Sequence, residues 1–505
     1  MELERTEMAG YEAVFTTTLT QEETLETIVP DACPDIARIV DTECTLFLKH
    51  KEVTAGRVEV TGTAKTAVLY LPDGMPGLRR MEVAIPFTFT LENGQLTPRC
   101  CVIAKPRIKT AETRMLNPRK ILTRVDLILE LQVFAPSGRQ LCTGVSGDQA
   151  EQIAQRKEQY SVSTVVSVQE KQFSFSDDVS IPGGRPEAEE ILKNRVDILC
   201  NESKIIGNKL IFKGEASVQI VYRASSGMVS SAGWNMPFSQ IMELAAVSEE
   251  AAAEISVQAM GTEISVDPMD GRSVSVSMNL TAEAVIREKR ALELLTDAYG
   301  VGCAMRAELY TDTLSALFEA DRRREGIREL IETVIMPQTI VDAYVTIGMQ
   351  SQRRNGQEVI LAVETQVTVL YLSEDDALLS VSRKCSAESA LTLPEEVQCQ
   401  FSCVCPEAVT ATPASGGVEV RYPVEFQITV TGSQRVVLVK ELVPLEKTAD
   451  QGNQPSIVLR VVDDGERIWD VAKLYGTTVE EIMRANGLEN ETPNRGDLLL
   501  IPRKR

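Results

Sequence analysis

One histidine, His50, is all this 505-residue chain contains. Nucleophilic catalysis of the Ser-His-Asp or Cys-His kind therefore has one candidate base and no matched partner. No Gly-x4-Gly-Lys-Ser/Thr phosphate loop occurs. Gly62-Thr-Ala-Lys65-Thr66 lacks the glycine spacing and sits in a strand-like run. The 11 cysteines are scattered and form no Cys-x2-Cys pairs, so a zinc site is not expected and they read as reduced core residues. No run of about twenty apolar residues is present, which excludes a spanning helix. Basic residues are outnumbered 52 to 73, and the net charge of -21 excludes a nucleic-acid or anionic-membrane partner. The start, Met-Glu-Leu-Glu-Arg-Thr-Glu, is acidic and polar, unlike a secretory signal, so a cytoplasmic location is expected. Neither enzymatic activity nor a cofactor is expected.

What the chain has in quantity is alternation of apolar and polar residues, the period of half-buried strands. Val58 to Tyr70, Leu210 to Tyr222 and Val359 to Tyr371 are three such runs, each ending in tyrosine, at a spacing of a domain. A hairpin signal follows each: Asn117-Pro118, Asp267 to Gly271, and Pro413 to Gly417. Ile85-Pro86-Phe87 and Met236-Pro237-Phe238 recur after the first two tyrosines, and the third copy lacks this pair. Short helical or extended leads are read at Pro34–Val40, Pro186–Leu192 and Arg324–Leu330. Ala291–Tyr299 reads as a link between copies. Glu187, Glu189, Glu190 and the Asp321–Glu325 run read as solvated helix faces. Arg503-Lys504-Arg505 reads as a frayed end or a steering patch for an acidic partner.

The C-terminal segment changes period. Ile468, Val471, Ala472 and Tyr475 fall at i, i+3, i+4 and i+7 of a helix, which Gly476 ends. Thr478 with Glu481 makes a capping box for a second helix, which carries Val479, Ile482 and Met483 inward and stops at Gly487. Pro493–Gly496 reads as a turn, and Leu499 and Ile501 alternate on a closing strand. This βααβ pattern resembles a LysM domain. The resemblance implies a groove between Gly465, Glu466, Arg467 and Ile468 on one side and Asn486, Gly487 and Leu488 on the other, with Trp469 placed to border it. Its usual ligand class is N-acetylglucosamine polymers. Arg467 departs from the family, which has a small hydroxyl residue there; glycan docking and protein docking both stay open.

The copies Pro34–Tyr70 and Pro186–Tyr222, with Asn117-Pro-Arg-Lys120, resemble the SPOCS domain. Tandem SPOCS-type copies before a LysM resemble the SipL-type morphogenetic proteins of endospore-forming bacteria. The expectation is a mainly β chain: three tandem β-sandwich or barrel-like repeats at 1–150, 151–310 and 311–453, then a small α+β LysM domain at 454–505, with a linker at Thr448–Ser456. The resemblance implies a non-enzymatic adaptor in the mother cell, at the forespore surface. Its partners would be spore coat morphogenetic proteins, including a coat-base ATPase. The alternative is a cell-wall protein that binds peptidoglycan.

Overall fold

The computed structural model describes residues 2–147, 150–245, 247–301, 305–444 and 455–502. Most of the expected linker and the Arg503–Arg505 end lie outside these. The described chain is mainly β, as its alternation predicts.

The first repeat runs through a long strand β1 (Glu2–Ile28), then β2 (Ile36–Thr54), β3 (Arg57–Pro72), β4 (Arg79–Glu92), β5 (Cys101–Asn117) and a long β6 (Lys120–Ser146). β2, β3 and β4 form one antiparallel sheet, while β6 pairs with both β1 and β5 in another. Alternate residues of the two sheets meet in one core, including Val60, Val68 and Tyr70 of β3, Ile85 and Phe87 of β4, and Val125, Leu127 and Leu129 of β6. The second repeat repeats the order: β7 (Ile153–Ser180), β8 (Ala188–Ile206), β9 (Lys209–Ala224), β10 (Val229–Glu243), β11 (Ala252–Val266) and β12 (Ser273–Gly300). So does the third: β13 (Met305–Glu332), β14 (Pro337–Asn355), β15 (Glu358–Ser373), β16 (Leu378–Thr392), a divided edge of β17 (Val397–Val404) and β18 (Thr410–Ala414), and β19 (Gly417–Pro444).

Register proves the equivalence. Tyr70 pairs with Ile39, Tyr222 with Ile191 and Tyr371 with Ile340. A bulge follows each partner, at Ile39/Asp41, Ile191/Lys193 and Ile340/Asp342. The leads at Pro34 and Pro186 run into extended strands, one of the two forms expected. Three local readings change. The third lead is Pro337–Val341, because Arg324–Leu330 lies inside β13. Ala291–Tyr299 is no link; it is the distal part of β12, hydrogen-bonded along β7. The Asp321–Glu325 run, Glu189 and Glu190 are strand residues, with Arg324 on Glu425 and Arg223 on Glu190, and Glu187 stands just before β8. In each case charge spacing that fits a helix turn also fits the outer face of an edge strand, and the sheet wins by long-range pairing.

The missing Pro-Phe of the third repeat has a packing cause. Gly62 stands opposite Phe87 and Gly214 opposite Phe238. A Cβ at Gly62 would collide with Phe87 Cζ and lie 2.6 Å from the Phe47 carbonyl oxygen. The third repeat pairs Val363 with Ala387 at this place and carries a wider bulge between Ile347 and Gln350. The side-chain volume has moved across the ladder.

Two further levels of order join the repeats. First, each long hairpin shifts register midway, at Ala13/Phe15, Ile286/Arg287 and Ser315/Leu317. Beyond that bulge the distal halves leave their sandwiches and pack together through Leu141, Val162, Leu294, Leu314, Val436 and Leu438, and through Cys142, Ile153, Leu295 and Val439. At about 3.3 Å per residue each long strand spans on the order of 90 Å, enough to serve both a sandwich and this common stem. Second, the positions after the tyrosine-paired bulge meet at the centre. Lys193 Nζ lies 2.8 Å from Asp41 Oδ2, 2.8 Å from Asp342 Oδ2 and 2.9 Å from Glu43 Oε2. Arg195 Nη1 adds contacts to Glu43 (3.1 Å) and Asp342 (3.5 Å). Tyr344 lies under both cations, 4.7 Å from Lys193 Nζ and 5.0 Å from the Arg195 guanidinium carbon. Around them Val40, Leu192 and Val341, with Leu69, Val221 and Leu370, supply equivalent apolar residues from all three repeats. The chain is a pseudo-threefold assembly.

Burial works against the Lys193 ammonium, but Asp342, Glu43 and Asp41 hold its pKa well above the usual lysine value. Burial likewise opposes the Asp342 carboxylate, which Lys193 and Arg195 hold well below the usual range.

Two outcomes follow. Gly62→Ala should lower the unfolding free energy from urea titration by an overpacking cost of about 1–3 kcal/mol. Phe87→Ala should recover only part of it, because the Phe47 carbonyl remains; strict additivity in the double variant would refute the contact. Lys193→Met should cost about 3–5 kcal/mol at pH 7 by stranding buried carboxylates. That deficit should narrow near pH 5, where stranded acids with raised pKa take up protons. In the parent chain Asp342 has a depressed folded pKa. Its contribution is present above its unfolded value near 4 and is lost as pH falls below that. Unfolding curves of both chains between pH 3 and 7 check this; a pH-independent deficit would contradict it.

Candidate functional site

At the end of the stem the period switches to helices. β20 (Ile457–Val461) and β21 (Leu498–Pro502) pair antiparallel, with α1 (Ile468–Tyr475) and α2 (Val479–Asn486) between them. Gly476 and Gly487 close the two helices in left-handed conformations, φ 66° and 60°. Thr478 caps α2, its Oγ1 accepting from the Glu481 N–H at 3.2 Å. Ile468, Val471, Ala472, Ile482, Leu499 and Ile501 make the core.

The expected groove residues divide into two groups. Gly465 (φ 74°), Arg467 and Gly487 are exposed, and Leu488 is half-buried. Glu466 is held by Arg460, Nη2 to Oε1 2.6 Å. Arg467 is the N-cap of α1 in extended conformation, and its side chain makes no capping bond. The two loops are tied together, since the Ile468 N–H donates to the Glu491 carbonyl at 3.2 Å. The other residues serve the fold. Ile468 is fully buried. Asn486 Nδ2 donates to the Ile482 and Leu500 carbonyls at 2.7 and 2.8 Å, and its Oδ1 accepts from the Leu500 N–H at 2.7 Å. This amide closes β21 onto α2.

Trp469 is placed differently from the sequence expectation. It does not border open solvent; it is buried against the stem. Its indole meets the Tyr299 ring edge-to-face, centroids 4.9 Å apart. Its Nε1–H donates to Asp297 Oδ2 at 2.8 Å, and Lys473 Nζ donates to the same carboxylate at 2.6 and 2.7 Å. The Tyr299 hydroxyl donates to the Thr477 carbonyl at 2.9 Å. Burial, then Glu480, Asp297 and Glu491, push the Tyr299 phenol far up, so it stays a donor. Sequence reading missed Asp297, Tyr299 and Lys473. Asp297 and Tyr299 lie about 170 residues from their partners, and no local signal joins them.

His50 is exposed. Among the described residues no group of three His, Cys, Asp or Glu side chains is arranged to hold a metal, all ten described cysteines are free, and no helix is long and apolar enough to cross a membrane.

Asp297→Ala should free the C-terminal domain from the stem, at a cost of about 1.5–3 kcal/mol for its charge-assisted bonds. With Trp234→Phe as background, Trp469 emission should shift to the red and become open to acrylamide. Unchanged emission would show that Asp297 does not hold the junction.

Residues 35–116 and 187–268 match the family model described as SipL, SPOCS domain, and residues 461–502 match the LysM domain model. The two SPOCS segments run from β2 to β5 and from β8 to β11, so the family unit is the three-stranded meander and one strand of the facing sheet. The third repeat has that strand order but lies outside the matched segments. Neither a curated protein nor a solved structure matches the chain. SPOCS and LysM are binding-type domains, and the pair marks a sporulation-related protein with a peptidoglycan-binding type of module. In its domain make-up the chain is thus of the SipL type: two SPOCS domains followed by a LysM domain.

Proposed function

We propose that this chain is a non-enzymatic adaptor of endospore coat assembly, built of repeats at 1–150, 151–310 and 311–453 and a docking LysM domain at 454–505. In this reading it works on the mother-cell side of the forespore surface and links a coat-base ATPase to other coat proteins. The observation that carries it is the junction at Asp297. A glycan-reading module on a free tether needs no fixed orientation. Here the LysM domain is clamped to the stem while Gly465 and Arg467 stay exposed. A clamped module presents its groove at a set place relative to three β-repeats, as a scaffold requires. Several weak contacts on one rigid body then raise avidity.

A second reading, binding of peptidoglycan or other N-acetylglucosamine polymers, is favoured by two exposed glycines. Gly465 and Gly487 have no neighbour within 4 Å of where a Cβ would stand, so a sugar acetamide can approach the backbone on either side.

Arg467→Thr separates the two. It removes a long cation from the groove mouth without touching the core. Under the adaptor reading it weakens capture of the purified coat-base ATPase, more so at low salt, and leaves chitin-oligomer binding unchanged or improved. ATPase capture that ignores Arg467→Thr, with tight chitin-oligomer binding by the parent protein, would overturn the adaptor reading in favour of the glycan.

A further inference from the structure

The three repeats enclose a chamber of about 1340 Å³ around the pseudo-threefold axis, with the Asp41–Lys193–Asp342 cluster beside it. Its walls are runs of consecutive residues: 39–46 of β2, 106–113 of β5, 195–199 of β8, 343–347 of β14 and 403–409 at the β17–β18 break. A strand that turns its face to a cavity contributes every second residue. Consecutive residues mean that these strands stand edge-on. β2, β8 and β14 are the outer strands of their three-stranded sheets, β5 ends the large sheet, and β17 and β18 pair only with β19. Unpaired main-chain N–H and C=O groups therefore look into the chamber.

Just outside the chamber the same edges are closed by side chains. Gln258 Nε2 donates to the Ala104 carbonyl at 2.7 Å, the Ala104 N–H donates to Glu283 at 3.3 Å, and Lys51 Nζ donates to the Val102 carbonyl at 3.1 Å. In the third repeat Arg354 Nη1 donates to the Val397 carbonyl at 2.6 Å. Inside it, among the described residues, no side chain or loop bonds to the main chain of 106–113, 195–199 or 343–347. These stretches are half-buried to exposed, so water pairs their open main-chain groups in the free protein, and an added strand can take its place.

We propose that the chamber is a binding site for an extended polypeptide segment, taken up by strand addition to these inward edges. A row of N–H and C=O groups at strand spacing is complementary to another backbone. The volume exceeds the roughly 300–1,000 Å³ of small-molecule pockets. A glycan is a poorer guest, because Tyr344 is the one aromatic residue in the lining and Lys193 and Arg195 already cover its ring. The walls carry amides and hydroxyls, among them Ser217, Gln219, Asn235 and Gln366, and charges of both signs, so the guest has polar side chains. This site is separate from the LysM domain and independent of how that domain is read.

The test uses the full chain. Amide hydrogen exchange on the free protein should find residues 106–113 exchanging faster than 121–131 of the adjoining β6. A random dodecapeptide library on phage is then panned on the protein, and enriched peptides are synthesised. They should slow exchange at 106–113 and lose affinity by at least about tenfold in both Ser217→Trp and Thr346→Trp, which fill the chamber from two repeats, while Asp297→Ala leaves their binding unchanged. Slow exchange at 106–113 in the free protein, no enriched peptide, or binders indifferent to both tryptophan variants overturns the proposal. So does chitohexaose protecting these amides in place of peptide.

Discussion

Everything in this molecule turns on one buried cation. Lys193 sits on the axis where three repeats converge, and it is held by a carboxylate from each of the other two. A lone buried ammonium is costly, and a pair is often no better than an apolar substitute. What such a group does supply is registry. The three repeats have the same strand order and nearly the same apolar contacts, so hydrophobic burial alone cannot say which repeat stands where. Asp41, Lys193 and Asp342 can, because any slip of one strand by one residue turns a charge away from the axis.

This cluster also gives a reason for one chain in place of three identical ones. Equivalent positions hold Asp, Lys and Asp, and two residues on they hold Glu, Arg and Tyr. In a symmetric trimer every position would repeat itself, giving three aspartates or three lysines around an axis. Either set is strongly repulsive at low dielectric. Covalent linkage lets the copies differ, and their differences become complementary. The same logic covers Gly62 with Phe87 against Val363 with Ala387, where two repeats settle one packing problem in one way and the third in another.

The parts of this design that were legible in the sequence are those written in local pattern. Alternation ending at Tyr70, Tyr222 and Tyr371 marked equivalent strands, since one buried face forces a period of two. The LysM helices were legible because caps and apolar stripes act within a few residues. Three things were not. The third repeat's lead was sought in a charged run resembling Glu187–Glu190, while the true equivalent, Pro337–Val341, shares only its apolar spacing, its proline standing where the other copies have Ile36 and Ala188. The axis was hidden because its equivalent residues have opposite charge, which similarity cannot align. Trp469 looked like a groove residue because its partners, Asp297 and Tyr299, belong to a strand that is far away in sequence.

The stem explains why the last of these matters for function. Each long hairpin changes register near its middle, so one pair of strands serves two cores. The sandwich half is fixed by its own meander. The distal half has no meander, and two strands alone are marginal in water. It is stable here because three such ribbons share one apolar interior, and because the C-terminal domain covers the end of the β12 ribbon through Tyr299, Val301 and Ala154. The LysM domain is therefore a lid on the stem as well as a binding module. Stem and lid are coupled: what loosens Asp297 from Trp469 and Lys473 uncovers Tyr299 and Val301 at the stem's end. The reverse also holds, since fraying of the β7–β12 ribbon removes the surface on which α1 rests. A load applied to the LysM groove is thus passed through α1 to β12, which runs back into the core of the second sandwich, and this sets the domain at one fixed end of a continuous β-structure.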